Sequence, residues 1–492
     1  MGISADKELL DLILSTNEWQ TFDCKRALIK PAKLLEAVIA FANTAGGIIA
    51  LGVEDPLKAE GKNRLFGVSE NVDNVSEFLK LANKDIDPPL KLFRTLEIAV
   101  VNTKKQPDKI LIISVGKSDE VHSLRNGDTF VRRGDQCVKI GSQEIIRIKY
   151  EKGAIKFEDE SANECSFDDL DQELVNKFKK DVSGERTETC QLFKDNGLAI
   201  KRDSAFKLTK GGVLLFAKNP SVLLKGKFGI KISHYYGNKA NYSGDPNFVR
   251  RPFTIEGSLI KQIEKAMEYF KEIIYSAPPK LKNSAFKTTF KIPEWAFQEA
   301  VTNAVIHRNY SVSDDIQIRF FDNRIEIESP GGFPGHISIH NILTERCSRN
   351  PIILRTINRF SDAPNLDIGE GVNRMFRVME DENLYSPVYF PTSLKPNTVF
   401  LILYNIEKVE AWDIVNKYLE SNYRITNKIA RQITDVPDTL KMTRVLKKWV
   451  EEGLLQKVGT NAKKVVYYIK PGRDIPLDLF SKRSENKIKT HE

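Results

Sequence analysis

Apolar residues in this chain recur at two spacings, and those spacings predict its elements. Over residues 33–43, Leu34, Leu35, Val38, Ile39 and Phe41 follow helical spacing, and Gly46-Gly47 comes next as a helix stop. The continuous apolar run 48–53 then predicts a short buried strand, and 109–115 and 128–133 predict two more. Further on, 211–216 and 228–236 predict strands. Residues 258–275 predict an amphipathic helix, with Ile260, Ile263, Met267, Phe270 and Ile274 on one side for core or dimer packing. Ser276-Ala277-Pro278-Pro279 interrupts the chain before a helix that opens at Pro293. Residues 324–328 predict a strand that runs into Ser329-Pro330-Gly331-Gly332, and Gly369-Glu370-Gly371 precedes a helix starting near Asn373. From about Glu407 the pattern is three helices (411–419, 426–433 and 439–451) and a hairpin over 453–458 and 464–469. In the third of these helices Leu440, Val445, Leu446 and Trp449 are expected inward, with Lys441, Arg444, Lys447 and Lys448 outward.

These elements predict an α+β multidomain protein. An acidic, polar stretch over 151–185 marks one boundary. The expected parts are an α/β module over 1–150, a connecting α/β region over 151–289, an α/β sandwich over 290–406, a helix-turn-helix unit with a wing over 407–472, and a polar tail over 473–492.

Composition narrows the function classes. A chain of 492 residues with 41% hydrophobic and 29% charged positions is globular, with no apolar run suited to a bilayer and no basic-then-apolar leader, so a cytoplasmic location without membrane insertion is expected. Cys24, Cys137, Cys165, Cys190 and Cys347 are scattered and show no C-x-x-C pair, which predicts reduced thiols and no zinc knuckle. The net charge of +9 fits a polyanionic partner. Residues 441–492 hold thirteen Lys or Arg against six Asp or Glu, most of that surplus.

Three constellations carry candidate chemistry. Thr21, Asp23 and Lys25 share one face of an extended segment, with Glu18 before them and Glu54-Asp55 after the glycine turn. If the two strands pair, Glu18, Asp23 and Asp55 would converge on one Mg²⁺ or Mn²⁺, with Lys25 steadying a phosphate; the other reading is an ordinary ion pair on a strand face. Second, Glu299, Asn303 and His307 follow one another at i, i+4 and i+8. An amide oxygen on a Mg²⁺–triphosphate and a carboxylate orienting water suit phosphoryl transfer, and the backbone N–H groups near Gly369 and Gly371 suit phosphates. The alternative is a scaffold in which these three side chains form a satisfied buried network. Third, the basic helix with Lys441, Arg444, Lys447 and Lys448, together with Lys463 and Lys464 near the hairpin tip, suits a DNA groove and its phosphates. Such units also serve as protein–protein modules.

Two resemblances sharpen these readings. Glu18, Asp23-Cys24-Lys25, the segment 40–47, Gly52-Val53-Glu54-Asp55 and Phe130-Val131-Arg132-Arg133-Gly134 resemble the Schlafen AlbA_2 domain. That resemblance implies nucleic-acid binding, with Arg132 and Arg133 at the contact. In the relatives that cut RNA it also implies a metal-dependent nuclease site, here Glu18, Asp23 and Asp55. Asp23 stands where a glutamate is usual, and Cys24 where an aromatic is usual. Residues 290–405, with Asn303-Ala304-Val305-Ile306-His307-Arg308-Asn309-Tyr310 and Arg349-Asn350-Pro351, resemble a divergent branch of the GHKL ATPases. This second resemblance implies ATP and Mg²⁺, with Asn303 on the metal, Glu299 as general base, and His307, Gly331, Gly332, Gly369 and Gly371 around the nucleotide. Ser329-Pro330 stands where GHKL proteins carry an aspartate that reads the adenine amino group. The pairing of the two implies a transcriptional regulator or a protein of defence against foreign DNA, acting with a protein partner or as a homodimer. A metal-dependent nuclease and a catalytically silent scaffold are the alternatives.

Overall fold

The computed structural model describes residues 2–471, apart from 92, 183–186, 203–204, 277–279, 283–284, 288–289, 340, 365–368, 391–396 and 459–465. The chain is an α+β multidomain protein with two compact units, residues 1–152 together with 410–492, and residues 153–409.

In the first unit, strands Phe22–Lys25, Gly47–Leu51, Pro107–Val115 and Phe93–Val101 form a four-stranded sheet in that order. Phe22–Lys25 pairs parallel with Gly47–Leu51, placing Asp23 opposite Ile49. Helix Pro31–Asn43 connects them, as a parallel pair requires, and buries Leu34, Leu35, Val38, Ile39 and Phe41. The turn after it demands glycine. Gly46 has φ +76°, and a Cβ on Gly47 would lie 2.6 Å from the Phe41 ring and 2.7 Å from the Thr21 carbonyl. Strands Thr129–Arg133 and Gln136–Ile140 form a separate hairpin.

Residues 410–471 of this unit hold helices Glu410–Ser421, Asn427–Thr434 and Thr439–Glu451, and a small sheet of Ile425–Thr426, Tyr467–Ile469 and Gln456–Val458. Thr426 caps the second helix by accepting from Ile429 N–H, and Asp438 caps the third. Met442, Leu446 and Trp449 are the buried positions of the third helix, with Trp449 edge-on to Trp412 at 5.1 Å. Leu440, expected inward, is 68% exposed. It lies in the first turn, where the stripe has already rotated to Met442.

The second unit is built on a six-stranded sheet in the order Phe248–Ile255, Ile230–Tyr235, Ile316–Phe321, Arg324–Pro330, Thr398–Tyr404, Val388–Phe390. Its strands come from both sides of residue 290. Helices Leu259–Ser276 and Glu294–Ile306 share its core, where the rings of Phe270 and Phe297 stack at 4.3 Å. One element differs from expectation: Lys210–Phe216 is a helix, not a strand. Thr209 caps it through Gly212 N–H, and Gly212 lies so close to the Leu198 carbonyl that a Cβ would come within 2.3 Å. A fully buried apolar run of this length has no periodicity to separate helix from strand.

Candidate functional site

The helix Glu294–Ile306 starts after Pro293, whose extended backbone occupies the cap position. Ala296, Phe297, Ala300, Val301 and Val305 are buried, so Glu299 and Asn303 are left on another side, one turn apart. Asn303 Nδ2 donates to Glu299 Oε1 at 2.8 Å. The second oxygen, Oε2, is buried and has no hydrogen-bond partner. Burial pushes the Glu299 carboxyl above its ordinary range, only partly offset by the Asn303 bond.

Glu299 forms part of the wall of a cavity of about 740 Å³, in the size range of small-molecule sites. Glu299, Asn303, His307, Gly369 and Gly371 all line it. Gly371 opens the helix Gly371–Asp381 and lies against Glu299, where a Cβ would stand 1.8 Å from Oε1. No other residue fits there. His307 falls just past the helix end, at its C-cap. Its Nδ1 is buried without a partner, and burial with the nearby Arg349 guanidinium pushes its pKa down to about 4, so the ring is neutral at pH 7. Ser329 also lines the cavity, and its hydroxyl donates to the Ala304 carbonyl at 2.8 Å.

Gly331 and Gly332 do not belong to the lining. Gly331 (φ +95°) packs on Asn309 and Arg349, and the Gly332 carbonyl accepts from Arg349 at 2.7 Å. The Arg-Asn-Pro segment explains this. Arg349 also donates to the His307 carbonyl, Asn350 Nδ2 donates to the carbonyls of Ile306 and Arg308, and Pro351 begins the helix Pro351–Ile357. The segment thus satisfies carbonyls at the end of the Glu294–Ile306 helix that have no partner within it. Glu158 receives the start of the Pro351–Ile357 helix, accepting from Ile352 and Ile353 N–H at 2.9 and 2.8 Å. Arg308 and Tyr310 are internal as well, bonded to the carbonyls of Lys227, Val312 and Asp314 and of Val305. Sequence reasoning missed Arg346, Ser348 and Tyr389, which also line the cavity. No spacing links them to Glu299.

The acidic cluster of the first unit has a different construction. Asp23 is fully buried. Its Oδ2 accepts from Arg132 Nη1 at 3.1 Å and its Oδ1 pairs with Lys25. Lys25 also approaches Glu18 at 3.5 Å, while burial and the Asp23 charge push the Glu18 carboxyl up to about 7. Although the two strands pair, Asp55 does not join them. Its carboxylate accepts from Leu57 N–H at 2.8 Å in its own loop, and Glu54 pairs with Arg26 and Lys58. Among the described residues no group of three His, Cys, Asp or Glu side chains is placed to hold a metal ion. Arg132 is corrected too. It is buried and also donates to the carbonyls of Trp19 and Phe22, so it supports the site from inside. Arg133 is exposed and pairs with Glu144.

Lys441, Arg444, Lys447 and Lys448 are all exposed on the helix Thr439–Glu451. Lys447 meets Glu451 at 3.6 Å, a long surface pair worth little, and Lys448 meets the mostly buried Glu452 at 3.7 Å. Lys463 and Lys464 lie outside the described residues. No helix among the described residues is long and apolar enough to cross a membrane.

Comparison with known proteins agrees with this division. The Schlafen AlbA_2 family model matches residues 18–141, which hold the Asp23 cluster. The family described as "Putative ATP-dependent DNA helicase recG C-terminal", an ATPase-like domain, matches residues 313–400, which hold Ser329 and the Gly369–Gly371 turn. No curated protein matches the chain. Among solved structures, the DIP2311 protein from Corynebacterium diphtheriae is similar over 97% of this chain and 99% of its own, at 18% identity and a TM-score of 0.41. The chain therefore carries a Schlafen AlbA_2 domain toward its N-terminus and an ATPase-like domain of the HATPase_c_4 family nearer its C-terminus.

Proposed function

We propose that this protein binds nucleic acid, and that a nucleoside triphosphate held in the Glu299 cavity alters that binding, in transcriptional control or in defence against foreign DNA. The observation that carries the nucleotide reading is the hydrogen-bonded Glu299–Asn303 pair on the wall of a cavity that the Gly369–Gly371 helix start also lines. The residues fit a magnesium–nucleotide. Asn303 donates its nitrogen to Glu299, which leaves its amide oxygen for a hard cation, and Mg²⁺ bound there would offset phosphate charge. Glu299, its proton affinity raised by burial, is suited to orient a water and take its proton. The first N–H groups of the Gly371–Asp381 helix offer donors to phosphate oxygens. His307 and Ser329 supply neutral groups to a base or ribose in place of a carboxylate.

For nucleic acid, the support is the AlbA_2 match and the exposed cations of the Thr439–Glu451 helix, read as the recognition helix of a winged helix-turn-helix, with DNA the preferred partner. The nuclease reading finds less support. Both oxygens of Asp23 are engaged by cationic side chains and Asp55 is turned away, so these residues do not fit a divalent ion.

The test is calorimetric titration with ATP and ADP in Mg²⁺, then duplex and single-stranded oligonucleotide binding with and without nucleotide. Micromolar nucleotide binding that shifts oligonucleotide affinity is expected, and that affinity should fall as salt rises. A protein that binds oligonucleotide equally with and without ATP would sink the coupling. Replacing Lys441, Arg444, Lys447 and Lys448 by Ala should flatten the salt dependence, by about 0.9 in log–log slope for each phosphate that is no longer neutralised.

A further inference from the structure

The charges around the cavity do not suit a triphosphate until one side chain is included. Glu299, Glu345 and Glu370 line it, and the arginines among the lining residues are Arg346 and Arg374. Arg374 is engaged, its guanidinium stacked over the Trp295 ring at 4.7 Å. Arg346 is exposed and, among the described residues, makes no ion pair. Its guanidinium lies across Gly369, where a Cβ would meet Cζ and Nε at 2.0 Å. Gly369 holds φ +69°, so the absence of a side chain serves both the turn and this contact.

Position along the same turn gives Arg346 its role. Glu299 lies on Gly371 and Arg346 on Gly369. Two residues of chain span at most about 7 Å, close to the width of one phosphate group with a hydrogen bond on either side. A water-orienting carboxylate belongs at the phosphate under attack, which is the terminal one. A cation across the same short turn therefore faces that phosphate and not the first. A guanidinium also suits phosphate better than an ammonium does, because its planar fork can donate two parallel bonds.

We infer that Arg346 is the residue that distinguishes a nucleoside triphosphate from a diphosphate, by pairing with the terminal phosphate from the Gly369 side of the turn. This rests on the cavity being a nucleotide site. Arg346 thus sets which nucleotide state the protein responds to. It does no proton transfer, and its removal leaves the Glu299–Asn303 pair in place.

The experiment measures ATP, ADP and AMP affinity by calorimetry, with Mg²⁺, for the full chain and for Arg346→Ala and Arg346→Lys. Because the side chain is exposed, both variants should melt within about a degree of the parent, which is checked first. Arg346→Ala should lose tenfold or more in ATP affinity while ADP and AMP stay within twofold, and Arg346→Lys should recover part of the loss. Equal losses for all three nucleotides, or an unchanged ATP-to-ADP ratio, would overturn the assignment while leaving the nucleotide site standing. A parent protein that binds none of the three would overturn the site itself.

Discussion

Two buried carboxylates, Asp23 and Glu299, were both candidates for chemistry, and the chain treats them in opposite ways. Asp23 has each oxygen covered by a cation, Arg132 on one side and Lys25 on the other. Glu299, on the wall of a cavity, has one oxygen on a neutral amide and the other buried with no partner. A carboxylate fully buried between two fixed cations is closed to an incoming ligand and acts as a strut. One buried short of partners beside a pocket keeps a raised proton affinity, which a ligand or a water that completes it would lower.

The comparison can be broken from either side. The largest effect is expected at the strut. Asp23→Ala leaves the Arg132 guanidinium buried without its counter-charge and should cost about 3–5 kcal/mol, read as a lowered urea midpoint. A change under about 1 kcal/mol would mean that Asp23 is not structural. On the other side, Glu299→Gln should fold as the parent does and bind ATP within a few-fold, while any ATP hydrolysis falls about a hundredfold or more. Unchanged turnover in Glu299→Gln would remove the base from this residue.

A third test uses pH. Burial pushes the Glu158 carboxyl up from 4.5 to about 7 despite its two backbone bonds, so the fold holds its proton more tightly than the unfolded chain does. The stabilisation from that proton is complete below about pH 4.5 and is lost as pH rises toward 7. The slope is at most about 1.4 kcal/mol per pH unit. Melting temperatures of parent and Glu158→Gln should therefore diverge across that window, with the parent losing more. Parallel curves would place the Glu158 titration elsewhere. The smallest effect belongs to Lys25, which is partly exposed. Lys25→Met should cost about 1 kcal/mol or less in thermal unfolding, because Arg132 still pairs with Asp23.

Much of the architecture was open to sequence reading where local rules act. The helix spacing of 33–43, the glycines at 46 and 47 and the start at Pro293 each depend on neighbours within a few residues. The i, i+4 spacing of Glu299 and Asn303 likewise placed them one turn apart on a helix, where Asn303 donates to Glu299. The failures share another cause. The helix Lys210–Phe216 is buried all round, so it has no polar side to betray its period, and Leu440 lies in a first turn where the stripe had shifted.

The sequence by itself determined which residues share a helix side or a strand face, and which family patterns the chain bears, because those depend on short-range geometry and fixed spacing. Tertiary structure alone decided what each acidic group meets. Arg132 reaches Asp23 across 109 residues, Asp55 turns into its own loop although its strand pairs as expected, and Arg346 comes to Gly369 through a fold that joins distant segments. The charge state and availability of a carboxylate follow from its partners and its burial, and both are properties of the packed chain.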